Sequence, residues 1–137
     1  MPSLKQAQTS PASLRALALA ASSGFRSKIV EVPEWNGAKV MLREPSGEAW
    51  VKFREIMMPP ETEDGQEPQK LSIQDEYLRN KLADVVMFID VLMDESGNRV
   101  FSESDEQTVS EIYGPVHSRL LSQAIGLGMS QEKAEVK

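Results

Sequence analysis

The chain has 137 residues, 40% hydrophobic and 26% charged, with no cysteine, a single histidine and a formal net charge of −6. That suffices for one modest domain and excludes a disulfide framework, a thiolate nucleophile or metal site, and a multi-histidine metal centre. The acidic balance argues against nucleic acid as a partner, since phosphate binding needs a basic surface, and no stretch approaches the ~18–20 apolar residues of a membrane span.

The charge is unevenly spread. Residues 1–30 contain Lys5, Arg15, Arg26 and Lys28 and no acid, so the remainder carries 11 basic against 21 acidic residues. This Ser- and Ala-containing start has the composition of an organelle transit peptide, but a weakly basic helix followed by a linker explains it better. Residues 1–9 read as disordered. Ser10-Pro11 reads as an N-cap with proline in the first turn, and Leu14, Leu17 and Ala21 share one face of a short helix that Ser22-Ser23-Gly24 ends.

Ser27 to Trp35 and Lys39 to Arg43 carry β-prone, partly alternating residues. Between them, Asn36-Gly37 predicts a hairpin with a two-residue type I′ turn, since both positions must take positive φ. Pro33 predicts an irregularity or an edge position on the first strand. Ser46 then caps a helix with Trp50, Phe53 and Met57 on one face, which stops at Pro59-Pro60. The polar, acidic segment 59–71 predicts a mobile loop.

Ser72 and Asp75 approximate a capping box for the longest helix, whose stripe comprises Leu78, Leu82, Val85, Val86, Ile89 and Leu92. Asp94 to Asn98 predicts a turn and Val100-Phe101 an apolar anchor. Ser102, Ser104 and Asp105 cap a helix carrying Val109 and Ile112. Gly114-Pro115 breaks that helix and starts another, with Val116, Leu120, Leu121, Ala124 and Ile125, that ends at Gly126. The layout predicts an α+β fold, a small β-hairpin or sheet packed on a mainly α-helical domain.

Catalytic chemistry finds little support. His117 has no recognisable catalytic partner in the sequence, and its neighbour Ser118 points elsewhere on a helix. Asp94, Glu95 and Asn98 lack the spacing of a calcium loop and read as a solvated turn. Gly126-x-Gly128 lacks the residues of a phosphate loop and reads as a helix stop. No metal or cofactor is expected. Trp35 either caps the hairpin on the core or stands out as a binding anchor; composition favours the core. The seven methionines supply either an adaptable surface or core filling, with filling the more common role.

One arrangement goes further. Glu31-Val32-Pro33-Glu34-Trp35-Asn36-Gly37, then Val40 to Glu44, then a Ser-started helix, resembles the tail assembly chaperones of long-tailed bacteriophages, which often carry a V-P-E-W-G-G hairpin followed by a strand ending in Arg-Glu. The segment Asp90 to Ser102 resembles that family's D-E-D-G-x-R-L-F stretch before two helices. The resemblance spans roughly residues 28–129 and rests on structural rather than catalytic motifs; it places neither the first helix nor the acidic loop.

It implies a non-enzymatic protein of the host bacterial cytoplasm, absent from the finished virion. Such a protein coats and solubilises the tape measure protein, recruits major tail tube subunits and self-associates as a homo-oligomer. Many members are also made as a longer, frameshifted form. The domain reading is an N-terminal helix and flexible linker (1–26), an α+β chaperone-like domain (27–129) and a flexible tail (130–137). A helix-accepting groove is expected between the Leu78–Leu92 helix and the hairpin, with Trp35, Met41, Trp50, Phe53 and Met57 near the partner surface. The other readings are a structural tail or connector protein of the virion, or a small bacterial adaptor; a gene between those for a major tail protein and a very long tape measure protein selects the chaperone.

Overall fold

The computed structural model describes residues 10–20, 24–58, 65 and 70–136, those after Gly128 by their backbone alone. The expected disorder of residues 1–9, the Ser22-Ser23 end of the first helix and most of the acidic loop lie outside the described residues. The elements in chain order are α1 (Pro11–Leu19), β1 (Ser27–Val32), β2 (Ala38–Arg43), α2 (Gly47–Met57), α3 (Ile73–Val91), β3 (Leu92–Met93), α4 (Glu106–Ile112) and α5 (Pro115–Val136). Short 3-10 turns at Pro33–Trp35 and Glu103–Asp105 precede β2 and α4. The fold is α+β, with helices packed against a three-stranded antiparallel sheet in the order β1-β2-β3.

Local chemistry sets most boundaries. Ser10, Ser46 and Ser72 each accept the backbone N–H three residues on, closing one of the open amides at the starts of α1, α2 and α3. Pro115 opens α5, where a missing N–H costs nothing.

The hairpin forms, but not with the two-residue turn. Val32 pairs with Ala38, so five residues connect the strands, and β1 ends at Val32 rather than Trp35. Pro33 has no N–H for the ladder and fixes a φ that suits the 3-10 turn instead. Asn36 (φ 58°) and Gly37 (φ 72°) both take the left-handed conformation anticipated for them, and the Gly37 amide closes the loop on the Val32 carbonyl at 3.0 Å. β1 is an edge strand, as Pro33 suggested.

Two further expectations are corrected, and the α3 stripe divides into an exposed and a buried half. Leu92 leaves the helix and, with Met93, forms β3 beside Met41 and Leu42, a strand too short to leave a periodic signal. Gly126 does not stop the last helix: α5 continues through Gly128 to Val136, at a cost of only about 1 kcal/mol per glycine relative to alanine. Gly128 also lies against β2's end, where a Cβ atom would come within 3.0 Å of Glu44 Oε2. The stripe of α3 is buried only in its second half, since Leu78 and Leu82 are exposed by 46% and 39%.

The core gathers Val32 and Leu42 of the hairpin, Val85, Phe88, Ile89 and Val91 of α3, Val109 of α4, and Leu120, Leu121 and Ala124 of α5. Inside it stands an ion pair that the periodicity does not announce. Arg43 ends β2 with 2% exposure, and its Nη2 lies 2.7 Å from Oδ2 of Asp90, itself 6% exposed. The carboxylate is fully used. Oδ2 also accepts the Ser46 amide (2.8 Å), while Oδ1 accepts the Ser46 hydroxyl and Arg99 Nη2, both at 3.0 Å. Arg43 further donates to the Asp90 carbonyl (2.8 Å) and through Nε to the Glu44 carbonyl (3.2 Å), and the Phe25 ring lies 4.5 Å from its guanidinium carbon.

Removing one member of such a buried network strands its charged partner. We predict that Asp90→Ala lowers unfolding free energy by about 3–5 kcal/mol, read from urea denaturation. Glu34→Ala, which breaks the exposed Glu34–Arg119 pair, leaves the midpoint nearly unchanged.

Candidate partner-binding surface

Ser46 serves two elements at once. Its hydroxyl caps α2 by accepting the Ala49 amide at 3.1 Å, and it donates to Asp90 near the end of α3. The start of α2 is thereby pinned to the end of α3. Glu48, Ala49 and Lys52 then run alongside Asp90, Ile89 and Val86, so the two helices are antiparallel. At 1.5 Å per residue, the 11 residues of α2 cover about 16 Å and the 19 of α3 about 28 Å. The first two turns of α3 therefore extend beyond the end of α2. They carry Ile73, Tyr77 and Leu78, exposed by 89%, 60% and 46%.

One side of α2 carries apolar side chains. Trp50, Phe53 and Met57, with Arg54 and Met58, line a shallow groove of about 420 Å³. Trp50 and Phe53 meet edge to face with centroids 5.7 Å apart, which fixes both rings, while Met57 and Met58 supply flexible, polarizable ends. Val51, on the same helix, is 50% exposed. Exposed apolar side chains gathered on α2 and on the overhanging turns of α3 are the kind of feature that marks a protein–protein contact.

Of the five residues singled out from sequence, the structure brings three together in this groove, namely Trp50, Phe53 and Met57. The other two lie elsewhere. Met41 sits half-buried in the central strand, between Ile29 and Met93. Trp35 is half-buried in the hairpin loop, packed on the core and 5.7 Å from the His117 ring of α5. Beside it Arg119 makes a two-pronged ion pair with Glu34 at 2.7 and 2.8 Å, which holds the Glu34 carboxyl down at about 2. Trp35 and Glu34 thus dock the loop on α5. The groove expected between α3 and the hairpin is closed, because Val85, Phe88 and Val91 are sealed into one core with Val32 and Leu42. Sequence reasoning also missed the overhang of α3, whose only sequence signal was that α3 is much longer than α2.

A second, polar cavity of about 60 Å³ lies between α2 and α3, lined by Asp90, Arg99, Lys52 and Glu103 among others; Lys52 and Glu103 are themselves paired. It has room for roughly two waters. Asp94 directs its carboxylate to the amides of Ser96 and Asn98, at 2.9 and 3.0 Å, and these bonds, Asn98 foremost, lower its pKa. Among the described residues no group of three or more His, Cys, Asp or Glu side chains is placed to hold a metal. No helix among them is long and apolar enough to cross a membrane.

His117 is a packing residue at the core boundary. Its ring lies 5.2 Å from Phe88, 5.4 Å from Tyr113 and 5.7 Å from Trp35, and its Nδ1 accepts the Gly114 amide at 3.0 Å, which requires that nitrogen to be unprotonated.

A family model described as phage tail assembly chaperone matches residues 13–137. The chain belongs to the phage tail assembly chaperone family. A solved structure, that of the bacteriophage HK97 tail assembly chaperone, is 51% identical with a TM-score of 0.68, covering 83% of this chain and 95% of that one. No curated protein gives a significant match. Residues through which the resemblance was read, Arg43, Ser46, Asp90 and Arg99, converge on the buried ion network, so in this chaperone they shape the scaffold that carries the groove.

Burial lowers the His117 pKa, so the unfolded chain takes up its proton first as pH falls. The stability from neutral His117 is complete above the unfolded value near 6.5 and is lost as pH drops through the folded value. The half-buried Asp84, whose pKa burial raises, works in the opposite direction but is common to wild type and variant. We therefore expect urea midpoints to fall between pH 7.5 and 5.5 in the wild type, and to fall less in His117→Gln.

Proposed function

We propose that this chaperone binds the tape measure protein through the α2 groove and the exposed start of α3, keeps it soluble during tail assembly, and helps to recruit tail tube subunits to it. The observation that carries this reading is the apolar groove lined by Trp50, Phe53 and Met57, together with the exposed Ile73, Tyr77 and Leu78 of α3, in a chain of the tail assembly chaperone family. A tape measure protein is a long helical chain with apolar stripes, which aggregates when those stripes meet water. An amphipathic helix lying in an apolar groove buries such a stripe through anchors at helical spacing. The groove offers a ring pair and two methionines, chemistry that tolerates different side chains along a long partner. The net charge of −6 keeps the loaded complex dispersed.

In this reading the protein acts as a homo-oligomer, many copies coating one tape measure chain, in the host bacterial cytoplasm, and it leaves before the virion is complete. It works by binding, with no catalytic step.

Co-expression with the cognate tape measure protein tests it. The expected outcome is a soluble complex that co-purifies, with the tape measure protein aggregating when this chain is omitted. Finding the chain in mature particles, with no co-purification, makes it a structural tail component instead. Trp50→Ala/Met57→Ala is expected to weaken the complex at least tenfold, about 1.4 kcal/mol, by titration calorimetry. Trp50 is only 38% exposed, so the variant's melting temperature is expected to fall as well, and the affinity is compared at a temperature where both proteins remain folded.

A further inference from the structure

Of the three asparagines only Asn36 precedes a glycine. That pair carries a chemistry of its own. The backbone nitrogen of a glycine, unhindered by a side chain, can attack the carboxamide carbon of the asparagine before it. The new N–Cγ bond closes a cyclic imide, the bond from Cγ to the amide nitrogen breaks, and ammonia leaves with the attacking nitrogen's proton. Water then opens the ring at one carbonyl or the other, leaving aspartate or its β-linked isomer. Water is the only co-reactant the balance needs.

Asn36 is exposed, so its carboxamide is open to water, yet the loop geometry opposes the reaction. At φ 58° and ψ 32° the Gly37 nitrogen lies nearly anti to the Asn36 Cβ about the Cα–C bond. Ring closure needs the two nearly eclipsed, which demands a large rotation of ψ. That rotation breaks the hydrogen bond from the Gly37 amide to the Val32 carbonyl, 3.0 Å long. It also moves a loop that is fastened to α5 on one side. Trp35 packs 5.7 Å from the His117 ring, and Glu34 takes both prongs of Arg119 at 2.7 and 2.8 Å.

We propose that Asn36-Gly37 is a self-modification site kept silent by the docking of the hairpin loop on α5, so that deamidation marks the chains whose loop has opened. The reactive geometry exists only during local opening, and the rate follows the fraction of time spent open. The mark is lasting. Either product places a new carboxylate two residues from Glu34, and the β-linked one also lengthens the loop backbone, so a marked loop docks less well. This inference involves neither the α2 groove nor its partner and stands apart from the proposed function.

The test holds the full chain folded at neutral pH and, in parallel, unfolded in urea. Deamidation at each asparagine is followed by peptide mass, as the gain from exchanging NH2 for OH. Wild type is expected to react at Asn36 at least about tenfold more slowly folded than unfolded. Arg119→Ala leaves the sequence around Asn36 untouched and removes an exposed ion pair, so its folded rate should rise about twofold to fivefold. Trp35→Ala, compared with its own unfolded form at a temperature where it remains folded, should lose more of the protection. Asn36→Gly accepts the same positive φ and should show no gain in the loop. Equal folded and unfolded rates in wild type overturn the proposal, as does unchanged protection in both Arg119→Ala and Trp35→Ala. A gain appearing at Asn80 or Asn98 before Asn36 also overturns it.

Discussion

The carboxylate of Asp90 is the constraint on which the structure depends. Withdrawing a carboxylate and a guanidinium from water costs several kcal/mol per ion, so a buried pair persists only when its remaining hydrogen-bonding capacity is met. Here both carboxylate oxygens are used, by Arg43, Arg99 and the amide and hydroxyl of Ser46. Each partner comes from a different element. The network therefore joins the end of the central strand, the cap of α2, the last turn of α3 and the return of the β3 turn at one point. The negative charge also sits at the positive end of α2, where a helix favours it.

The consequences reach the surface. Pinning α2's start to α3's end fixes an antiparallel pair of unequal lengths, which leaves two turns of α3 uncovered and turns the Trp50 face outward. The Asp94–Asn98 turn, closed by its own carboxylate, brings Arg99 back beside Asp90 and sends Phe101 onto Phe88, 6.3 Å between centroids. Opposite, Trp35 and the Glu34–Arg119 pair hold the hairpin loop on α5. Polar chemistry specifies the scaffold, and the apolar residues left over form the surface available to a partner. Preorganisation of this kind favours binding because less side-chain freedom is lost on association.

What the sequence reveals here follows the range of the interactions. The serine caps, the proline boundaries and the positive φ of Asn36 and Gly37 are decided within a few residues, and all could be read directly. The Asp90 network joins residues 44 and 47 positions apart, and neither Asp90 nor Arg43 breaks a periodic pattern in a way that names its partner. Leu78 and Leu82 belong to a genuine helical stripe, yet whether a stripe is buried depends on how far the opposing helix extends. For the same reason Trp50, Phe53 and Met57 could be grouped from their spacing alone, whereas separating them from Trp35 and Met41 required the packing. β3, at two residues, is formed by its neighbours rather than by its own propensity.

The central claim is that the face formed by α2 and the start of α3 is the part of this chaperone that engages a helical partner. Amide hydrogen exchange on the free chain and on its complex with the cognate tape measure protein tests this most directly. New protection confined to residues 47–58 and 73–82, with the Asp90-centred core protected equally in both states, is the result predicted. Protection appearing instead on the hairpin loop 33–37 and α5, with α2 unchanged, would contradict it.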